Sequence, residues 1–432
     1  MGRASLPPVT ERQGLPRVLI LGGGFAGIGA ARKLRKAPVD VMLVDRHDYH
    51  TFQPLLYQVA TDILDPATVG HPIRELVHQQ DNLDFAQATV TGIDLDARTV
   101  TFDGWEPQGY DYLIVGLGAR ANFFGTAGAD EHAFPLYTLP QAVRLKQHLL
   151  MRFEEAAKNP ALVDEGYLDV VIVGGGATGV ETSGAMSELI HHVFPEDYPT
   201  IDISRINITL VEHGDRLLAM FDQGISDYTL ETLTDRNVKV RLGEQVMGID
   251  ADGVDLGTGE RIAAGTTVWG AGLQPVPLAS ELGVELVRGR VPVDEFLRLE
   301  HHPEVFVVGD MAVTTDSTTG VVLAQLGSVA LQAGEYAGKT IDRLERKHKD
   351  PHPFHYVDKG TMATIGRNAA VAVVPPHHIT LTGRAAFAMW GAVHLALLTG
   401  GDSRMAAMSN WFWSFTTHNR PARVLIHPDD DD

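Results

Sequence analysis

Apolar residues in this chain fall mostly in short unbroken runs, not in alternating ones. Val18-Leu19-Ile20-Leu21, Val41-Met42-Leu43-Val44, Leu113-Ile114-Val115, Val170-Val171-Ile172-Val173 and Val305-Phe306-Val307-Val308 are the clearest. A run this short, apolar on every residue and bounded by turn formers, predicts a strand covered on both faces, as in a parallel sheet. The segments after two of these runs change period. Ile28 to Lys36 and Val180 to His191 carry apolar residues at helical spacing, and each opens on glycines. Strands alternating with helices predict an α/β architecture.

The glycines form two turns of one design. Arg17 to Leu21 leads into Gly22-Gly23-Gly24-Phe25-Ala26-Gly27, and Asp169 to Val173 leads into Gly174-Gly175-Gly176-Ala177-Thr178-Gly179. In such a G-x-G-x-x-G turn the first glycine permits a tight bend. The second lets backbone approach a pyrophosphate, and the third packs helix on strand. The helix N-terminus then offers N–H groups and the positive end of its dipole. Two such turns predict a protein that holds two dinucleotides.

Each turn heads a longer repeat. A second strand ends in an acid, Asp45 or Glu212, placed to accept hydrogen bonds from a ribose. Glu212 lies farther from its turn than Asp45 does, which predicts an inserted loop over His192 to Arg205, with Pro195 and Pro199. A surface carboxylate ending a strand is the competing reading of Glu212. Both units later produce a strand and a glycine turn, at Gly116-Leu117-Gly118 and Gly270-Ala271-Gly272. Val305 to Gly309 ends in Asp310, suited to a polyol hydroxyl.

Composition narrows the classes. The 432 residues hold two or three domains, and a net charge of −20 argues against nucleic acid as a partner. The chain contains no cysteine, which excludes thiolate metal sites and a redox-active cysteine pair. Met1 to Pro16 lacks a signal peptide's apolar core and reads as a disordered lead-in, so a cytoplasmic chain is expected. Asp429 to Asp432 reads as a solvated end.

The carboxy-terminal part differs in character. Ala385 to Leu398 is apolar but too short to cross a bilayer. Phe387, Trp390, His394 and Leu397 fall on one helical side. Met405, Met408, Phe412 and Phe415 fall on one side of a second helix, with Trp411 and Trp413 beside it. From Arg384 to His427 there are four arginines and one acid. Such helices suit a membrane interface, or else packing on the protein's own core or a second subunit.

From Arg17 to Ile426 the chain resembles the type II NADH dehydrogenases, single-chain flavin enzymes that reduce membrane quinones. The resemblance rests on both glycine turns, on Phe52-Gln53-Pro54-Leu55-Leu56-Tyr57-Gln58-Val59-Ala60-Thr61, and on Asp358-Lys359-Gly360-Thr361-Met362-Ala363-Thr364-Ile365-Gly366-Arg367. Trp390, His394, Trp411, Thr416 and Arg420 resemble positions of the family's membrane-facing helices. It implies two Rossmann-like dinucleotide-binding domains and a C-terminal helical membrane-facing region. Expected bounds are 17–150 with 290–353 for FAD, 166–289 for NADH, and 354–432 for the C-terminal part.

By the same resemblance, Gly22, Gly24, Phe25, Ala26, Gly27, Asp45, Arg46, Gln53, Thr61, Gly118 and Asp310 should bind FAD. Gly174, Gly176, Thr178, Gly179, Glu181, Glu212 and Gly272 should bind NADH, and a carboxylate at Glu212 would repel a 2′-phosphate. The resemblance implies that hydride passes from NADH to FAD and then two electrons to a quinone, and without spanning helices no proton pumping is expected. Glu181 and Lys359 are candidate proton donors, and Gln332 a donor to a quinone carbonyl. Glu181 also reads as an acid favoured by the helix dipole, and Lys359 as a structural ion-pair partner. The family's Ala-Gln-x-Ala-x-Gln pattern meets Gly327-Ser328-Val329-Ala330-Leu331-Gln332, so Ser328 replaces the first glutamine, and Gln325 shares that helical face. A homodimer on the cytoplasmic face of the membrane is expected. A soluble flavin reductase with a ferredoxin acceptor, or a flavin-bound NADH sensor, are the competing functions.

Overall fold

The computed structural model describes Arg12, residues 14–348 and 351–417, Asn419, Arg420 and residues 423–425. The expectations for the chain up to Glu11 and for Asp429 to Asp432 lie outside the described residues. Two compact units emerge. The first takes the described residues up to Thr51, His71–Arg120 and Leu273–Asp358. The second takes Phe52–Gly70, Ala121–Gly272 and the described residues from Lys359 on. These divisions differ from the expected 150, 290 and 354, and the C-terminal residues cluster with the second unit.

In the first unit a six-stranded sheet runs in the order Arg298–Leu299, His302–Val307, Tyr112–Val115, Arg17–Leu21, Asp40–Asp45, Leu83–Gln87. All neighbours are parallel except the Arg298–Leu299 edge. The unbroken apolar runs are explained by burial on both faces. Val18, Ile20, Val41 and Leu43 pack in one cluster with the helix Phe25–Leu34, while Leu19, Leu21, Met42 and Val44 pack in another with Val100 and Phe102. The helix Gly327–Glu345 closes against Phe25–Leu34 at backbone distance. A Cβ on Gly334 would lie 1.9 Å from the Ala26 carbonyl oxygen, so only glycine fits there.

The second unit repeats the plan. Ala133–Pro135, Thr266–Trp269, Val170–Val173, Ile208–Glu212 and Val238–Leu242 form an all-parallel sheet. Each unit adds an antiparallel three-stranded meander, over Val90–Gly109 and Val246–Ala263. A third meander, Thr361–Thr364 with Ala370–Val374 and Ile379–Thr382, precedes the helices Gly383–Leu397 and Gly401–Thr417.

Three expectations are corrected. Residues 12 and 14–16 belong to the fold: Arg12 pairs with Asp40 at 2.6 Å, and the Pro16 carbonyl accepts the Asp40 N–H. The segment His192 to Arg205 is largely helical turns, with a π-turn at Leu189–Val193 and an α-turn at Phe194–Asp197. Phe194 and Tyr198 hold it by packing on Phe153, at ring separations of 4.2 and 5.3 Å. The C-terminal helices bury their small and polar residues together with Trp390 and Trp411. Ala386, Trp390 and His394 are inside in the first helix, and Ser403, Ala407, Trp411 and Ser414 in the second. Met405, Met408, Phe412 and Trp413 are exposed, Phe412 by 69%. Leu397 is half exposed, apart from the buried Trp390 and His394.

Candidate functional site

Within the first unit the glycine turn is sterically determined. Gly22 adopts φ +104°, and a Cβ there would lie 2.3 Å from the Gly116 carbonyl oxygen. A Cβ on Gly27 would lie 1.8 Å from the Gly22 carbonyl oxygen, so helix and turn meet only through glycine. At Gly24 a Cβ would meet nothing within 4 Å. That residue is the N-cap of the helix Phe25–Leu34, and no side chain caps it. Bare backbone beside an uncapped helix start suits a phosphate. Asp45 stands across the turn: its Oδ2 accepts the Gly23 N–H at 2.6 Å, and its Oδ1 the His47 N–H at 2.7 Å. Phe25 is half-buried, Ala26 is buried, and Arg46 is exposed. Gly118 takes φ +73°. The Asp310 carbonyl accepts from the Gln325 amide at 3.0 Å.

His50 is part of this turn and was not anticipated from the sequence. It is buried, it contacts Phe25 edge-on at 5.1 Å, and its Nδ1 lies 2.9 Å from the Gly23 carbonyl. Burial pulls its pKa down to about 4, so the ring is neutral and Nδ1–H donates to that carbonyl. A histidine in a short polar stretch carries no signal that could have found it.

Gln332 and Ser328 also lie in the first unit. The Gln332 amide makes a two-point pair with the Val357 backbone, donating to its carbonyl and accepting its N–H, both at 3.0 Å. Ser328 Oγ lies 2.9 Å from Tyr356 Oη. These side chains brace the 356–357 segment on the helix Gly327–Glu345, and Gln325 is held by the Asp310 carbonyl.

Within the second unit the first turn is duplicated almost atom for atom. Gly174 takes φ +106°, a Cβ on Gly179 would lie 1.8 Å from the Gly174 carbonyl oxygen, and Gly176 faces open space at an uncapped helix start. Glu212 braces this turn as Asp45 braces the first. Its Oε2 accepts the Gly175 N–H at 2.5 Å and its Oε1 the Gly214 N–H at 2.6 Å. The Thr178 carbonyl accepts from Thr182. Gly272 lies under the exposed ring of Phe124, whose edge a Cβ would meet at 2.6 Å.

Glu181 sits one turn into the helix Ala177–Glu188. Burial raises its carboxyl to about 8, only partly offset by the Thr364 N–H at 3.2 Å. It therefore holds its proton at neutral pH. A hydrogen-bonded chain continues from Thr364: Thr364 Oγ1 to Tyr57 Oη at 2.8 Å, Tyr57 Oη to the Gln58 amide at 2.9 Å, and Gln58 Oε1 to the Trp411 indole at 2.7 Å. Thr61 is buried, with its hydroxyl on the Tyr57 carbonyl at 2.8 Å, and the Gln53 amide reaches the Tyr137 carbonyl at 3.3 Å. Lys359 is exposed and makes no ion pair among the described residues.

Both units thus present the same anion-cradling turn, faced by the same type of acid: the architecture of a two-site dinucleotide protein. The family model for pyridine nucleotide-disulphide oxidoreductases matches residues 16–334. The type II NADH:quinone oxidoreductase Ndh of Mycobacterium tuberculosis is 34% identical over 420 residues, covering 94% of this chain and 89% of its own length. A type II NADH:quinone oxidoreductase of Staphylococcus aureus is 30% identical over 369 residues, covering 83% and 89%. Among solved structures, NDH2 from Plasmodium falciparum in complex with NADH shares the fold, with a TM-score of 0.86 at 20% identity over 95% of this chain and 100% of that one. The chain belongs to the pyridine nucleotide-disulphide oxidoreductases, and within them to the type II NADH:quinone oxidoreductases.

Proposed function

We propose that this protein oxidises NADH and passes two electrons, through bound FAD, to a quinone at a membrane surface. The observation that carries the reading is the pair of equivalent cradles, each with an open second glycine, an uncapped helix start and a braced carboxylate. The first cradle suits FAD and the second NADH, in two Rossmann-like domains. FAD, when bound, supplies two-electron acceptance from the nicotinamide and release to the quinone.

The residues of this chain do the rest. Gly22, Gly24 and Gly27 admit a pyrophosphate against backbone, and Asp45 orients a ribose through its remaining lone pairs. Gly174, Gly176, Gly179 and Glu212 do the same for NADH, and the Glu212 charge disfavours a 2′-phosphate. Phe25, Ala26, Arg46, Gly118 and Asp310 are further candidates at the first site, and Thr178 and Gly272 at the second; Gln53 and Thr61, assigned to FAD by the resemblance, fall in the second unit. Glu181, protonated at neutral pH, holds a proton of the kind quinone reduction consumes. Lys359, exposed and charged, is a second source. Gln332, already paired to Val357, shapes the acceptor site by bracing backbone.

No helix among the described residues is long and apolar enough to cross a membrane. Attachment instead uses the exposed Met405, Met408, Phe412 and Trp413 on the cytoplasmic face, in a homodimer. Arginines contribute less to that surface than their number in the tail suggests. Arg420 is buried against Glu188, Arg423 pairs with Asp197, and Arg404 caps the Ala396 and Leu398 carbonyls. Relatives above 30% identity bear quinone in their names, so a ferredoxin acceptor is not favoured.

Anaerobic stopped-flow tests the reading. NADH should bleach the oxidised-flavin absorbance, and a menaquinone or ubiquinone analogue should restore it. Bleaching without restoration removes the quinone; a protein that never binds FAD removes the whole reading.

A further inference from the structure

The second unit contains a cavity of about 300 Å³ at the far end of the helix Ala177–Glu188 from the glycine turn that opens it. Its wall includes Glu188, Arg236, Arg367, Ser414, Phe415 and Arg420. Three arginines and one carboxylate line it, and two of the guanidiniums, those of Arg236 and Arg420, meet the carboxylate directly. Glu188 Oε1 accepts from Arg236 Nη1 at 3.1 Å and from the backbone N–H of Arg367, and its Oε2 accepts from Arg420 Nη2 at 3.4 Å. Asp62 also acts on Arg420 but is itself paired with Lys146, so two positive charges remain in excess, in a chain of net charge −20.

These charges are not spread over open surface. Arg420 is 4% exposed, and the Glu188 and Arg236 side chains are 13% and 22% exposed. Removing uncompensated charge from water is costly, so an excess of this kind calls for a counter-charge. The donors are also not used up. A guanidinium has five N–H donors. The bonds of Arg236 to Glu188 and to the Arg367 carbonyl, and of Arg367 to the Phe415 carbonyl, leave several in each.

A second observation points the same way. Ser414 is 7% exposed, and its hydroxyl, on the cavity wall, has no hydrogen-bond partner among the described residues. A buried hydroxyl without a partner is expensive unless something in the cavity supplies one. Guanidinium forks with a nearby hydroxyl match the several oxygens of a tetrahedral oxyanion.

We propose that this cavity binds a phosphate oxyanion, free or carried on a lipid headgroup, with Arg236, Arg367 and Ser414 as donors and Arg420 and Glu188 as its charge frame. The lipid source has a structural route. Phe415, on the wall, lies one helical turn from the exposed Phe412, along which an acyl chain can run.

The test uses the purified full chain in phosphate-free buffer. Inorganic phosphate is titrated in by calorimetry, and one saturable site is expected. Arg236→Gln should weaken it about tenfold or more, and Ser414→Ala by a smaller factor. Glu188→Gln removes the competing negative charge and should tighten binding, a gain that misfolding cannot produce. Vesicles of phosphatidylcholine, with and without phosphatidylglycerol, separate the sources by co-sedimentation. Recruitment by phosphatidylglycerol that Ser414→Ala weakens and inorganic phosphate displaces supports the site and assigns it to lipid. Saturable phosphate binding with recruitment indifferent to Ser414→Ala supports the site and assigns it to the free ion. Absence of saturable phosphate binding, or binding unchanged in both Arg236→Gln and Glu188→Gln, overturns the proposal.

Discussion

The indole N–H of Trp411 donates to Oε1 of Gln58 at 2.7 Å, joining residues 353 positions apart inside the second unit. The same Gln58 donates through its amide nitrogen to Tyr57 Oη, so its two polar ends are both committed. Trp411→Phe keeps most of the packing but strands a buried carbonyl oxygen. Urea unfolding should show a loss of about 1–3 kcal/mol. A variant as stable as the parent would mean that this bond does not hold the helix Gly401–Thr417 in place.

Glu181 ties stability to pH. Unfolded, its carboxyl ionises near 4.5; folded, near 8, because burial disfavours the charge. Between those values the unfolded chain sheds a proton that the folded chain keeps. Stability should therefore fall as pH rises from about 4.5 to 8 and level off above. Glu181→Gln removes that slope, so its advantage over the parent should grow across the window to about 2–4 kcal/mol. Parallel stability curves for the two proteins would refute the shifted carboxyl.

The second glycines separate folding from binding. A Cβ at Gly176 meets open space, so Gly176→Ala should leave thermal unfolding nearly unchanged while raising the KM for NADH about tenfold. Gly179→Ala drives a methyl into the Gly174 carbonyl and should cost about 3 kcal/mol or more of stability. If Gly176→Ala leaves NADH kinetics untouched, the pyrophosphate does not lie there.

Glu212 faces the second turn with both carboxylate oxygens held by backbone N–H groups. Glu212→Gln should lower the preference for NADH over NADPH about tenfold in kcat/KM, mostly through better use of NADPH. An unchanged ratio would place the adenosine ribose elsewhere.

The Asp62–Lys146 pair tests burial of charge. Both side chains are nearly inaccessible, 3.1 Å apart, and burial holds the Asp62 carboxyl up at about 6 despite the lysine. Lys146→Met should destabilise by about 3–5 kcal/mol, and adding Asp62→Asn should recover much of it. Calorimetric scans of the single and double variants decide this.

Much of the fold was legible in the chain because its signals are local. The unbroken runs at Val18–Leu21 and Val170–Val173 reflect burial on both sheet faces, and the glycines of each turn are required by contacts within a few residues or with the neighbouring strand. The acids at Asp45 and Glu212 could be placed because a strand end delivers them to the turn. The helical character of His192 to Arg205 was hidden, since its support is Phe153, from another helix. The inward direction of Trp411 was hidden because an amphipathic pattern shows that a helix has two faces, not which one finds a partner; that of Arg420 and Arg423, beyond the helix end, was hidden because their partners Glu188 and Asp197 are distant in sequence.

The amino-acid order alone determined the duplicated strand–turn–helix units, because φ, close backbone approach and apolar burial are set by residue type at short range. Tertiary structure alone decided the proton held by Glu181, the neutral His50 beneath Gly23, the pairing of Gln332 with Val357 and the arginine-lined cavity around Glu188. Each of these depends on desolvation and on partners supplied by distant segments, and neither quantity exists until the chain has folded.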